Sequence, residues 1–144
     1  MPLRDYQFKG VDLVYKSYAK GNKAVILVIP TGGGKTKTAV DIIKRVRKKN
    51  KTVLFMAHRR ELINQAAGAL REEGIEPGII MPGNPEMFDR PVQVASKDTL
   101  IRRLKRWSDK FDFIVVDECH RGIAKTYTKV YDSNPNAFTL GLTA

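Results

Sequence analysis

The chain has 144 residues, and its 26 lysines and arginines outnumber its 15 aspartates and glutamates, for a formal net charge of +11. This length suits one compact domain over residues 1–144, and the excess of basic residues favours nucleic acid as a partner, with a solubilising surface as the alternative. The one cysteine excludes an internal disulfide, and the apolar runs are too short to cross a bilayer. Residues 1–10 lack the apolar core of a signal peptide. Together these features predict a cytoplasmic protein, nuclear if eukaryotic, with no membrane partner.

Short apolar runs alternate with helical patterns along the chain. The runs are Ala24–Ile29, Thr52–Ala57, Gly78–Met81, Val92–Ala95, Phe113–Asp117 and Ala137–Leu142. Several are rich in Val and Ile on consecutive positions, as in parallel strands buried on both faces. Within residues 39–46 and 62–70, apolar side chains recur at helical spacing, and the second pattern ends near Gly74. The alternation predicts an α/β fold, a doubly wound and mainly parallel sheet flanked by helices.

The first run leads into the sequence IPTGGGKT, which meets the P-loop pattern G-x-x-x-x-G-K-[ST] except that Ile29 replaces the first glycine. A strand that ends in glycines before a helix directs backbone N–H groups into an anion site. The glycines in this loop are Gly32, Gly33 and Gly34. Lys35 would reach the β- and γ-phosphates, and the Thr36 hydroxyl would ligate Mg²⁺. The loop therefore predicts binding of a nucleoside triphosphate.

A second candidate site follows the fifth run, where FDFIVVDECH places two carboxylates after an apolar strand. Ligands of doubly wound sheets lie at the carboxyl ends of the strands. Asp117 would hold the magnesium ion, directly or through water, and Glu118 would orient or deprotonate the attacking water. Capping of the following segment is the alternative interpretation. With the P-loop, the pair predicts Mg²⁺-dependent hydrolysis of a nucleoside triphosphate.

The two sites together resemble the first RecA-like domain of superfamily-two helicases and translocases of the DExH type. The resemblance covers nearly the whole chain, and the motifs occur in family order. They are LRDYQ (the Q motif, Leu3–Gln7), PTGGGKT (motif I), AHRRELINQ (motif Ia, Ala57–Gln65), VQVASKDTL (motif Ib, Val92–Leu100), DECH (motif II) and LTA (the start of motif III, Leu142–Ala144).

The resemblance implies roles for three further residues near the nucleotide. Gln7 would contact the adenine edge, where an amide can both donate and accept. His120 would pair toward Thr143 and link the nucleotide site to the nucleic-acid face. The alternatives are a plain polar position on an amphipathic helix for Gln7 and a local hydrogen bond for His120.

The resemblance also makes Arg59, Arg60, Ser96 and Thr99 candidates for contacts to nucleic-acid phosphates. The two arginines could instead be solvated surface residues, and Ser96 and Thr99 could cap helices. Two basic runs, residues 44–51 and 102–106, match no motif and are interpreted as solvated helix faces, with an extension of the surface that binds the nucleic-acid backbone as the alternative. Trp107 is interpreted as a core or partly buried residue and not as a platform for base stacking, because the basic run it follows has no interleaved aromatic residues.

The family carries its arginine finger on a second RecA-like domain, which we expect to be absent here because the sequence stops within motif III. We therefore expect this chain to be a monomeric lobe that binds ATP–Mg²⁺ weakly, turns it over slowly or not at all, and does not unwind a duplex. The form of motif Ia favours DNA over RNA, and the second domain of the parent protein would be a partner. The alternatives are a small P-loop kinase and a non-catalytic nucleic-acid-binding module with a relic nucleotide site.

Overall fold

A computed structural model describes residues 21, 24–29, 34–117, 129–130 and 132–143. Six strands and four helices are described along their whole length within these ranges, and residues 129–130 and 132 are also helical. The strands are β1 (Ala24–Val28), β2 (Val53–Ala57), β3 (Gly78–Ile80), β4 (Val92–Ser96), β5 (Phe113–Val116) and β6 (Phe138–Thr143). The helices are α1 (Lys35–Arg47), α2 (Arg60–Glu72), α3 (Lys97–Arg102) and α4 (Leu104–Trp107). Each predicted apolar run is a strand, within one residue at either end.

The strands form one parallel sheet in the order β1-β6-β5-β2-β4-β3. β2 and β5 lie in the interior of the sheet and are buried along their whole length, as their continuous apolar sequences predict. β6 lies between β1 and β5, with Leu140 opposite Val25 on one side and Val115 on the other. All six strands therefore have their carboxyl ends at the same edge of the sheet.

Helices cover both faces of the sheet, which confirms the doubly wound prediction. On one face, α1 and α2 pack on a core that includes Ile43, Leu70 and Phe55. On the other face, α3 and α4 pack on a second core that includes Leu100, Trp107 and Met56. α2 ends where predicted, since Gly74 has a φ of 81° just after the helix. In the part of the chain that the structure describes, no helix is long and apolar enough to cross a membrane.

The burial of β1 differs from the prediction. Its alternate residues Ile26 and Val28 are each 64% exposed, whereas Val25 and Leu27 pack against the core under α1 and α2. β1 is an edge strand whose neighbour among the described strands is β6 alone. A short run of consecutive apolar residues is typical of a central strand but also occurs in an edge strand with one exposed face. The sequence therefore could not distinguish a central position from an edge position.

Candidate nucleotide and nucleic-acid sites

A left-handed glycine precedes α1. Gly34 precedes the helix with φ 76° and ψ 41°, a left-handed conformation that a side chain would disfavour. Thr38 fastens this turn, because its backbone N–H and its Oγ1 both donate to the Gly34 carbonyl, at 3.0 Å and 3.1 Å. The first turn carries no acidic side chain. The helix dipole at this end therefore favours an anion.

Lys35 and Asp117 lie against each other at the carboxyl edge of the sheet. Lys35 Nζ is 2.9 Å from Asp117 Oδ1, and the Asp117 side chain is only 2% exposed. The backbone of Asp117 continues the sheet, since its N–H donates to the Met56 carbonyl at 2.9 Å. The structure thus brings together the lysine of the glycine-rich loop and the first carboxylate of the second motif.

Thr143 and Thr36 occupy the same edge. Thr143 ends β6, the strand between β1 and β5, and its carbonyl accepts a 2.9 Å hydrogen bond from the N–H of Ile29 at the end of β1. Thr143, the predicted partner of His120, therefore lies between β1, which precedes the glycine-rich loop, and β5, which precedes Asp117. Thr36 follows Lys35 in the first turn of α1 and is half-buried.

The residues present fit a magnesium–nucleotide complex. Mg²⁺ prefers oxygen ligands, commonly one or two carboxylates together with phosphate oxygens. Asp117 offers a carboxylate and Thr36 a hydroxyl. Lys35 joins the two elements that carry these groups, because it belongs to the same helical turn as Thr36 and contacts Asp117.

The predicted nucleic-acid contacts gather at one edge as well. Ala57, at the end of β2, is paired with Ser96, at the end of β4, so the starts of α2 and α3 are neighbours. Arg59 and Arg60 are exposed at the start of α2. Ser96 is half-buried at the N-cap position of α3 but makes no side-chain capping bond, which removes the support for a capping role.

Thr99 is buried in α3, so its side chain is the least accessible of the four candidates. Thr38, in contrast, was missed by the sequence analysis, although a threonine four residues after the last glycine of the loop is suited to bonding back to that glycine. Five predicted site residues lie outside the described residues. They are Gln7, Gly32, Gly33, Glu118 and His120.

The parallel sheet flanked by helices defines a RecA-like fold, and Lys35 and Asp117 meet at its carboxyl edge. Residues 1–144 match the family described as "Type III restriction enzyme, res subunit", and the chain belongs to that family. These assignments confirm the resemblance of the motifs and the predicted fold class.

Two curated relatives and one solved structure illustrate the relationship. The chain is 34% identical over 143 residues to the putative ATP-dependent helicase IRC3 of Saccharomyces cerevisiae, covering 90% of this chain and 20% of the relative. It is 29% identical over 143 residues to the DNA 3'-5' translocase XPB2 of Sulfurisphaera tokodaii, covering 99% of this chain and 30% of the relative. The crystal structure of the UvsW helicase from bacteriophage T4 shares the fold, with a TM-score of 0.81 at 21% identity over 99% of this chain and 52% of that one. The chain thus spans less than a third of these curated relatives.

Proposed function

We propose that the chain is the ATP–Mg²⁺-binding lobe of a nucleic-acid-dependent ATPase, in a helicase or translocase that acts on DNA in preference to RNA. The observation that carries this proposal is the 2.9 Å contact between Lys35 Nζ and Asp117 Oδ1, because it joins the phosphate-binding lysine to the magnesium-binding carboxylate. The names of two relatives support the wider role, since one is called an ATP-dependent helicase and the other a DNA translocase.

Different residues of the chain would bind the triphosphate and the magnesium ion. Backbone amides of the glycine-rich loop and the Lys35 ammonium group would bind the triphosphate, and Thr36 and Asp117 would hold Mg²⁺. Bound Mg²⁺ would supply neutralisation of phosphate charge. Lys35 would exchange its carboxylate partner for phosphate oxygens, so the ion pair keeps the lysine aimed at the site before nucleotide arrives.

Three residues outside the described ranges would complete the site. Glu118 would orient the attacking water and accept its proton. Gln7 would bind the adenine edge, and His120 would pair toward Thr143 at the end of β6. Arg59, Arg60 and Ser96 would bind backbone phosphates of the nucleic acid from the neighbouring starts of α2 and α3.

Turnover would depend on a partner lobe. An arginine finger accelerates phosphoryl transfer by about a thousandfold or more, and in this class it comes from the second RecA-like domain. Assayed apart from such a domain, residues 1–144 would be a monomer that binds ATP–Mg²⁺ weakly, hydrolyses it slowly and does not unwind a duplex. An enzyme acting on nucleic acid would work in the cytoplasm, or in the nucleus of a eukaryote.

The proposal is tested by calorimetric titration of ATP–Mg²⁺ into the wild type, Lys35→Ala and Lys37→Ala, with and without saturating single-stranded DNA. Lys37 is a matched control because it is an exposed lysine in the same helical turn. We expect Lys35→Ala to weaken binding at least about tenfold, equivalent to about 1.4 kcal/mol, and Lys37→Ala to stay close to the wild type.

Equal losses in the two lysine variants would contradict the assigned role of Lys35, and absence of binding by the wild type would contradict a nucleotide site in this lobe. Circular dichroism checks that each variant is folded. The double variant Lys35→Ala/Asp117→Asn provides a second test, because it removes the buried charge together with the lysine and should bind no better than Lys35→Ala.

A further inference from the structure

Three aromatic rings form a continuous stack between the loop after β3 and the segment before β5. The ring centroids of Phe88 and Trp107 are 4.5 Å apart with planes inclined by 18°. Those of Trp107 and Phe111 are 5.9 Å apart and inclined by 10°. Trp107 is only 2% exposed, as predicted for a core residue, but Phe88 is 52% exposed. The stack therefore ends in an aromatic ring open to solvent.

The stack lies away from the candidate nucleotide site. Phe111 leads into the amino end of β5, whereas Asp117 follows its carboxyl end. Phe88 lies in the loop that returns the chain to the amino end of β4. Because all strands are parallel, the stack lies toward the amino-terminal edge of the sheet, opposite to the predicted phosphate contacts at the starts of α2 and α3.

Two arginines contact the loop that carries the exposed ring. Arg103 Nη1 and Arg106 Nη1 each lie 2.9 Å from the same oxygen of Glu86, which is two residues from Phe88. Two guanidinium groups thus share one carboxylate, and Arg106 is 60% exposed. A guanidinium has five N–H donors, and in the described part of the chain Arg106 has no side-chain partner besides Glu86.

The loop that carries Phe88 is fastened on both sides of it. Gln93 Nε2, in buried β4, donates to the carbonyl of Met87 at 2.7 Å and to that of Arg90 at 3.0 Å. Arg90 Nη1 in turn donates to the carbonyl of Pro77 at 3.0 Å. These contacts hold the exposed ring in place before any ligand binds, which lowers the entropic cost of using it.

We propose that Phe88 and Arg106 form a second contact for single-stranded nucleic acid, in which an unpaired base stacks on the Phe88 ring and the Arg106 guanidinium binds an adjacent phosphate. Stacking on an aromatic ring suits any base, and a guanidinium suits phosphate geometry. The inference rests on the proposed function in that the ligand is nucleic acid. It adds a contact at the edge of the sheet that the motif residues do not reach.

The test is fluorescence anisotropy of a labelled oligothymidylate titrated with the wild type, Phe88→Leu, Phe88→Tyr and Arg106→Ala. Leucine keeps an apolar cover over Trp107 but removes the ring, whereas tyrosine retains it. We expect Phe88→Leu to weaken binding by about five- to tenfold and Phe88→Tyr to bind like the wild type. Trp107 is the chain's one tryptophan, so its intrinsic fluorescence should change as the oligonucleotide binds the wild type.

The proposed contact between Arg106 and a phosphate is tested by the salt dependence of oligonucleotide binding. Arg106→Ala should lower the slope of log K against log salt by about one. Arg71→Ala is the matched control, because Arg71 is an exposed arginine of α2 that also pairs with a carboxylate, that of Glu76. Binding of a blunt duplex should be the same for the wild type and Phe88→Leu, since paired bases cannot stack on the ring.

The outcomes separate this inference from the proposed function. If the wild type binds the oligonucleotide and Phe88→Leu binds equally well, the ring only covers Trp107 and the inference is wrong, while the proposed function stands. If the wild type has no affinity for the oligonucleotide but does bind ATP–Mg²⁺, the nucleic-acid partner and the inference fail together. Unchanged ATP–Mg²⁺ affinity in Phe88→Leu and Arg106→Ala is expected, because the two sites lie at opposite edges of the sheet.

Discussion

At the scale of single residues, Lys35 has a structural task besides its proposed role in binding phosphate. Asp117 is almost fully buried, and its Oδ1 is 2.9 Å from Lys35 Nζ. A buried carboxylate that loses its cation is strongly destabilising, because its solvation by water cannot be recovered. Loss of nucleotide binding in Lys35→Ala therefore has two physical sources, the missing phosphate contact and the lost ion pair with the buried Asp117.

We predict that Lys35→Ala lowers the free energy of unfolding by about 3 kcal/mol. Urea denaturation followed by circular dichroism measures this change. Lys35→Ala/Asp117→Asn should regain most of the loss, because the variant amide carries no charge. Additive effects of the two substitutions would show that the pair contributes nothing to folding.

At the scale of elements, an ion pair joins the ends of α1 and α2. Lys44 Nζ, in the last turn of α1, is 3.1 Å from Glu73 Oε2, just beyond the end of α2. The hydrogen bond from Lys44 and its charge lower the pKa of Glu73 below the ordinary value of 4.5. A carboxyl group whose pKa is lower in the folded state stabilises the fold above its unfolded pKa, and this contribution is lost as the pH falls through the folded pKa.

The pH dependence of this contact is a second prediction. The melting temperature of Glu73→Gln should lie slightly below that of the wild type at neutral pH, and the difference should vanish once the pH falls below the folded pKa of Glu73. Thermal melts from pH 7 down to acid measure it. Glu72→Gln is the control, because Glu72 is exposed and makes no ion pair with the described residues. A constant difference at every pH would show that the pair is not responsible.

At the scale of the whole molecule, β6 connects the two halves of the candidate nucleotide site. It pairs with β1 on one side and with β5 on the other, and Leu140 in its middle is fully buried. The glycine-rich loop follows β1, and Asp117 follows β5. The separation between the loop and the carboxylate therefore depends on the strand between them.

Leu140→Ala should lower the free energy of unfolding by about 2–5 kcal/mol, because it leaves a cavity in the core under α1 and α2. Urea titrations followed by circular dichroism and by Trp107 fluorescence should give coincident transitions, since one sheet carries both cores. Leu62→Ala, a partly buried leucine of α2, should cost less. Separate transitions for the two probes would contradict cooperative folding around β6.

The sequence predicted the strands well, and it marked the start of α1, for a physical reason. Strands buried on both faces need apolar residues at consecutive positions, and the phosphate loop needs glycines and a lysine in fixed order, so both leave local patterns. The Phe88–Trp107 stack has no such pattern, because it joins a Pro- and Gly-rich loop to a helix end that is distant in sequence. The exposed face of β1 was missed for a similar reason, since its exposure follows from its place at the edge of the sheet.

The pairing of β1 with β6 also orders events during synthesis. β2, β3, β4 and β5 pair among themselves, but among the described strands β1 has β6 as its one neighbour, and β6 is the last of them to leave the ribosome. At about 5–20 residues per second, β1 remains for seconds without its partner strand, and an unpaired strand edge favours aggregation. A nascent chain would acquire its nucleotide site last, so ATP cannot assist the folding of the earlier strands.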